Sequence, residues 1–160
     1  MAIKVGDKVP QVTFRIMTSD GSKEMTSDEL FGGKKVALFA LPGAFTPTCS
    51  AKHLPGYVQQ ADAIKAKGVD TIAFTAINDA FVMGAWGNDQ GTGGKVLMLA
   101  DGSADFAQGM GLELDLVARG MGVRPQRYSM LVDDGVMKSL NVEAAGQFEV
   151  SDADTMLGQV

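Results

Sequence analysis

Cys49 is the only cysteine among 160 residues, and it lies in the stretch "LPGAFTPTCS", residues 41–50. A thiol does its chemistry as the thiolate, so the first question is what in the neighbouring residues favours sulfur as an anion. Threonine is a good helix N-cap, and proline is favoured at the first helical position because its missing N–H would be unpaired there. The run Thr46-Pro47-Thr48-Cys49 meets both rules. With Thr46 as N-cap and Pro47 as the first helical residue, Cys49 takes the third position, where a capping box carries a glutamate carboxylate. Free backbone N–H groups, the helix dipole and the Thr46 hydroxyl then stabilise negative sulfur, and the spacing predicts a depressed thiol pKa. Most lone cysteines in intracellular proteins are instead small buried hydrophobes. A Pro-x-x-x-Thr-x-x-Cys frame directly after an apolar strand, at the sheet end where α/β folds bind ligands, argues against that reading.

The elements that position this loop are legible around it. "KVALFAL" (35–41), "VDTIAFTAI" (69–77) and "KVLMLA" (95–100) are continuous apolar runs, as strands buried on both faces should be. Between the first two, Leu54, Tyr57, Val58, Ala61 and Ile64 recur at helical spacing, and Gly68 stops the helix. Asn78 or Asp79 can cap a second helix burying Phe81, Val82, Ala85 and Trp86, and Ser103 or Asp101 a third, brief one. "RYSMLV-DDG-VMKSLNV" reads as a hairpin with an Asp-Gly turn. A last helix is expected from Ser151, with Asp152 and Asp154 in its first turn. "VTFRIMTSDGSKEMTSDELF" suggests an N-terminal hairpin and a short helical turn. The sum is one α/β domain over residues 1–160, a mixed central sheet with helices on both faces and an N-terminal hairpin extension.

Composition narrows the partners. Fourteen Lys and Arg stand against nineteen Asp and Glu, a net charge of -5 with no basic run, so neither nucleic acid nor an anionic membrane is an expected partner. One cysteine forbids an internal disulfide and suits a reducing compartment. With no apolar leader and no run of roughly 18 apolar residues, a cytoplasmic protein is expected. "GTGGK" (91–95) is followed by Val96 and a strand rather than by Ser or Thr and a helix, so it is read as a loop and not a phosphate cradle. "DADT" lacks partnering ligands and is read as helix capping; no metal or other cofactor is expected.

"Pro42-Gly43-Ala44-Phe45-Thr46-Pro47-Thr48-Cys49", followed by "SAKHLPGYV", resembles the peroxidatic loop of peroxiredoxins of the type II, peroxiredoxin-five-like branch. The likeness continues through "GVDTIAFTAINDAFVMGAWG" and "RYSMLVDDGVMKSLNVE", covering most of the chain. It implies a thioredoxin-like fold and thiol-dependent reduction of hydroperoxides. Carried onto matching positions, it makes Cys49 the peroxidatic nucleophile, Thr46 the hydroxyl bonding sulfur and peroxide, Pro42 the ring shielding sulfur, and Arg127 the active-site guanidinium. Gly43, Thr48 and His53 are placed as pocket residues, with His53 at the pocket mouth rather than acting as a base. Arg127 and Arg124 both read as surface ion-pair residues on composition alone; the resemblance selects Arg127, whose permanent fork suits thiolate and peroxide oxygen together.

Lowering a thiol pKa from about 8.5 to about 6 raises the ionised fraction at neutral pH about thirtyfold, yet a Brønsted slope of about 0.45 takes back roughly tenfold in nucleophilicity. Fast peroxide reduction must therefore come mainly from groups binding charge as the O–O bond breaks. The resolving cysteines of plant type II enzymes, near Phe74 here, and of mammalian ones, near "AAGQFEV", are both missing. Turnover then needs an external thiol, and "FEVSDADTML", similar to the peroxiredoxin half of bacterial peroxiredoxin–glutaredoxin fusions, favours glutathione with glutaredoxin over thioredoxin. The resemblance further implies a homodimer with Phe45 near the contact. A peroxide sensor relaying oxidation would present the same site; a redox-inert binding module is disfavoured by Thr46, Cys49 and Arg127 together, and dithiol exchange needs two cysteines. Pro55, inside a helix begun at Pro47, is expected to kink it and to loosen the cysteine-bearing turns.

Overall fold

The computed structural model describes residues 2–47, 52–144 and 147–160. Three apolar runs become β3 (Lys35–Ala40), β4 (Thr71–Ala76) and β5 (Leu97–Ala100), paired in parallel and almost wholly buried. The crossovers between them are α2 (Leu54–Ala66) and α3 (Ala80–Asp89). Two hairpins flank this parallel centre. On one edge β1 (Thr13–Thr18) and β2 (Gly21–Thr26) pair antiparallel, with β1 meeting β5 at Arg15 and Ala100. On the other, β8 (Tyr128–Asp133) runs antiparallel to β3 and turns through Asp134 and Gly135, both at positive φ, into β9 (Val136–Val142). The seven strands lie in the order β2-β1-β5-β4-β3-β8-β9, the mixed sheet expected from sequence.

Helices cover both faces. Phe39, Leu41, Ile72 and Phe74 pack against α2, α3 and the C-terminal α5 (Ala153–Leu157). Val36, Leu38, Ala40 and Leu99 pack against α1 (Ser27–Phe31) and α4 (Asp105–Met110). Successive right-handed crossovers carry α2 and α3 to the same face, and the remaining apolar face needs its own cover. At α1, Thr26 and Glu29 form a reciprocal capping box.

Several local expectations are corrected. Phe81 is 72% exposed and Ala85 is also exposed; α3 instead buries Ala80, Met83, Trp86 and Gly87, its glycines 84 and 87 letting the helix lie close on Met17 and Met98. Neither Ser103 nor Asp101 is the residue before α4; Ala104 is, at φ 64. Asp101 nevertheless caps that helix from a distance, taking the Phe106 and Ala107 amides at 3.0 Å each. The last helix is capped by Asp152, not begun at Ser151, which is buried and bonded elsewhere. The small ribbon of β6 (Glu113–Leu116) and β7 (Gly122–Pro125) carried no sequence signal. At the kink placed at Pro55, Lys52 and His53 are in widened, π-type helix and Pro55 is the second residue of α2; the turns between Pro47 and Lys52 lie outside the described residues.

Candidate active site

The loop leaving β3 is held from three sides. Pro47 is helical and Thr46 is not, so the helix boundary lies where the Thr-Pro pair placed it. The Thr46 hydroxyl, expected to donate to the thiolate, instead gives its one proton to the Gly43 carbonyl at 2.7 Å, which leaves its oxygen lone pairs to accept from an incoming group. The Ala44 amide donates to Asn78 Oδ1 at 3.0 Å, and an Arg124 Nη1 donates to the Pro42 carbonyl at 3.0 Å while its Nε binds the Met121 carbonyl at 2.8 Å. Phe45 occupies the left-handed region at φ 64, a conformation a non-glycine residue keeps only where its surroundings dictate it. Gly43 is buried under Arg124: a Cβ there would stand 2.6 Å from the Arg124 guanidinium nitrogen. Cys49 and Thr48 lie outside the described residues.

Arg127 reaches this loop through strand register. Ala40 pairs with Tyr128, so the residue before β8 stands beside the start of the loop that follows β3. The half-buried guanidinium donates to His53 Nδ1 at 2.8 Å and lies 5.7 Å from the centroid of the Phe148 ring. Arginine has only donors, so Nδ1 must be the acceptor and the imidazole proton sits on Nε2, which donates to the Ser151 carbonyl at 3.0 Å.

His53 was placed at the pocket mouth by sequence; the structure corrects this. The ring is fully buried, with Phe39 and Phe148 centroids at 4.9 Å and Tyr57 at 5.7 Å. Burial first, and then the Arg127 charge, bring its pKa down from 6.5 to about 3, so it is a neutral group at physiological pH. Just before α2, this side chain lies against Arg127 in the interior rather than toward solvent.

Behind His53 stands a buried carboxylate that sequence reading passed over. Glu143 Oε2 accepts from the amides of Glu149, Val150 and Ser151 at 2.9, 2.8 and 2.8 Å and from the Ser151 hydroxyl at 2.7 Å. Desolvation pushes this carboxyl up, but these donors outweigh it and the net shift is downward. The Glu143 amide in turn donates to the Arg127 carbonyl at 2.9 Å. No local signal marks Glu143, Ser151 or Asn78 as site residues, because their partners lie between 6 and 98 positions away.

The described residues thus set a planar, positive donor and a hydroxyl acceptor beside the loop that leaves β3, groups able to steady charge on a bound oxygen or sulfur. Known proteins resemble the chain along almost its whole length. Residues 4–157 match a family described as Redoxin. The chain is 48% identical to the chloroplastic peroxiredoxin-2E of Arabidopsis thaliana, over 98% of its own length and 68% of that protein's. It is 46% identical to the hybrid peroxiredoxin hyPrx5 of Haemophilus influenzae, over 98% of its length and 66% of the hybrid's. Reduced Prx3 from Vibrio vulnificus, solved in complex with hydrogen peroxide, superposes with a TM-score of 0.94 at 53% identity, covering 98% of each chain.

Proposed function

Because the chain belongs to the redoxin family and is a peroxiredoxin, a thiol peroxidase of thioredoxin-like fold, we propose that Cys49 is its peroxidatic nucleophile and that Thr46, Arg127 and Pro42 serve it. The Cys49 thiolate attacks the nearer oxygen of a hydroperoxide in line with the O–O bond. A sulfur–oxygen bond forms, the O–O bond breaks, and the departing alkoxide or hydroxide takes a proton to leave as alcohol or water. Cys49 is left as the sulfenic acid. Thr46, its proton engaged by the Gly43 carbonyl, accepts from the peroxide O–H and orients it, while Arg127 faces the charge moving from sulfur to oxygen.

The observation that carries this reading is Arg127, fixed beside the cysteine loop by a neutral partner. The test is rapid mixing of reduced protein with hydrogen peroxide and organic hydroperoxides, read by fluorescence of Trp86. That indole is buried 6.3 Å from the Phe45 ring of the loop, centroid to centroid, so loop chemistry reaches it. Cys49→Ser should abolish the transient and Arg127→Ala should slow it about a hundredfold or more; wild-type rates no faster than a free thiol would refute the assignment.

The sulfenic acid is resolved outside the chain, which has no second cysteine. One glutathione condenses with it, releasing water and forming a mixed disulfide, and a second thiol, delivered through glutaredoxin, frees Cys49 and carries away the disulfide. What supports this over thioredoxin is the likeness of "FEVSDADTML" to the peroxiredoxin half of peroxiredoxin–glutaredoxin fusions, together with a relative that is itself named a hybrid peroxiredoxin. Turnover with glutathione and glutaredoxin should exceed turnover with thioredoxin. Phe45, 54% exposed, and Phe81 supply an apolar surface for the homodimer, which sedimentation checks. A lone thiol doing this work suits a reducing compartment such as the cytoplasm.

A further inference from the structure

A circuit of five hydrogen bonds, linking four residues, closes on itself around Arg127. Its guanidinium donates to His53 Nδ1; His53 Nε2 donates to the Ser151 carbonyl; the Ser151 amide and hydroxyl donate to Glu143; the Glu143 amide donates back to the Arg127 carbonyl. The links join the residue before β8, the turn before α2, the turn before α5 and the segment after β9. We infer that His53 is the positioning residue of the peroxidase reaction, an uncharged acceptor that aims the Arg127 guanidinium at the reacting sulfur and oxygen without cancelling its charge. The inference rests on Arg127 serving Cys49 as proposed above.

Three features set His53 apart from a merely buried histidine. Both ring nitrogens are committed, one to Arg127 and one to a carbonyl, so the ring has one tautomer and one orientation. The carbonyl it binds also accepts from the Tyr57 hydroxyl at 3.0 Å, and Ser151 is clamped to Glu143, so the anchor itself does not move. Phe148 touches both partners, lying 4.9 Å from the His53 ring and 5.7 Å from the guanidinium, and shields their bond from water. A carboxylate in the same place would orient Arg127 equally well, but it would pair with the cation and weaken its pull on a thiolate. The negative charge in the circuit belongs to Glu143, which directs its carboxylate to the amides of residues 149–151.

The test is a double-mutant cycle in the peroxide-reduction rate, with the Cys49 thiolate followed by its ultraviolet absorbance. His53→Phe keeps the ring and removes the acceptor. It should slow the reaction about ten- to a hundredfold, the cost of a misaimed group, and raise the pH at which the thiolate forms. In an Arg127→Ala background the same substitution should change nothing further. A repeated loss in that background would make His53 a packing residue, and a wild-type rate for His53→Phe would overturn the inference outright. An Arg127→Ala protein at wild-type rate would instead refute the reading of Arg127. Should His53→Phe not fold, two amides replace it: Asn puts an acceptor where Nδ1 stands, Gln puts its amide where Nε2 stands. Asn should keep the rate within about threefold and Gln should not; equal rates would overturn the proposal.

Discussion

Ser151 is bound to Glu143 twice, through its amide at 2.8 Å and its hydroxyl at 2.7 Å, both to the same carboxylate oxygen. The pair pins the chain ahead of α5 and so fixes the carbonyl that holds His53 and Tyr57. Glu143→Gln replaces an acceptor-only group with one that presents donors to a nest of donors. It should destabilise the fold by about 3 kcal/mol in urea unfolding at neutral pH and slow peroxide reduction. Because the native carboxyl is held below its ordinary value, its contribution is present above about pH 4.5 and is lost as pH falls through the folded value. Glu143→Gln should therefore flatten the acid limb of the stability curve.

A second dependence on pH lies higher. His53 stays neutral in the folded protein down to about pH 3, while in the unfolded chain it binds a proton near pH 6.5. Below 6.5 the unfolded state therefore holds more protons and stability falls. One such group removes about 2 kcal/mol between pH 7 and pH 5. Denaturant midpoints over that range should decline in the wild type and decline less in His53→Asn, which has nothing to titrate there. Parallel declines would show that other groups carry the effect.

Gly43 allows the Arg124 guanidinium to lie on the loop backbone. Gly43→Ala places a methyl 2.6 Å from that nitrogen, which must then leave the Pro42 carbonyl. The loss of one charge-assisted bond should cost about 1.5–3 kcal/mol of stability. The peroxide rate should fall with it. Arg124→Lys, unable to bridge the Pro42 and Met121 carbonyls together, should reproduce the defect in milder form.

Two tyrosines of opposite status make an internal comparison. The Tyr128 hydroxyl is buried with no hydrogen-bond partner among the described residues, whereas the Tyr57 hydroxyl donates to the Ser151 carbonyl. Tyr128→Phe should leave thermal stability unchanged or raise it by about 1 kcal/mol, since an unsatisfied polar atom is removed without opening a cavity. Tyr57→Phe should lower stability by about the same amount. A marked loss in Tyr128→Phe would reveal a bridging water at that hydroxyl.

What could be read along the chain was whatever residues decide with near neighbours. The Thr46-Pro47 boundary, the buried strands β3, β4 and β5, the Asp-Gly turn between β8 and β9 and the helical spacing of α2 all rest on contacts within a few positions. The strand–helix alternation of that pattern settled the sheet's parallel centre too. The rotation of α3 escaped because nearly every residue of that helix is apolar, so its pattern marks no face, and packing turned Phe81 to solvent. Partner choice escaped for a different reason. Arg127 meets His53 across 74 positions and Arg124 meets Pro42 across 82, distances closed only when β8 takes its register on β3 and the β6–β7 ribbon folds over the loop. The types of residue that do the chemistry were thus local facts. Which arginine bonds the histidine, which one props the loop, and that the histidine lies in the interior rather than at a pocket mouth were decided by packing, because a side chain's reach is a few ångströms and only the fold brings remote ones within it.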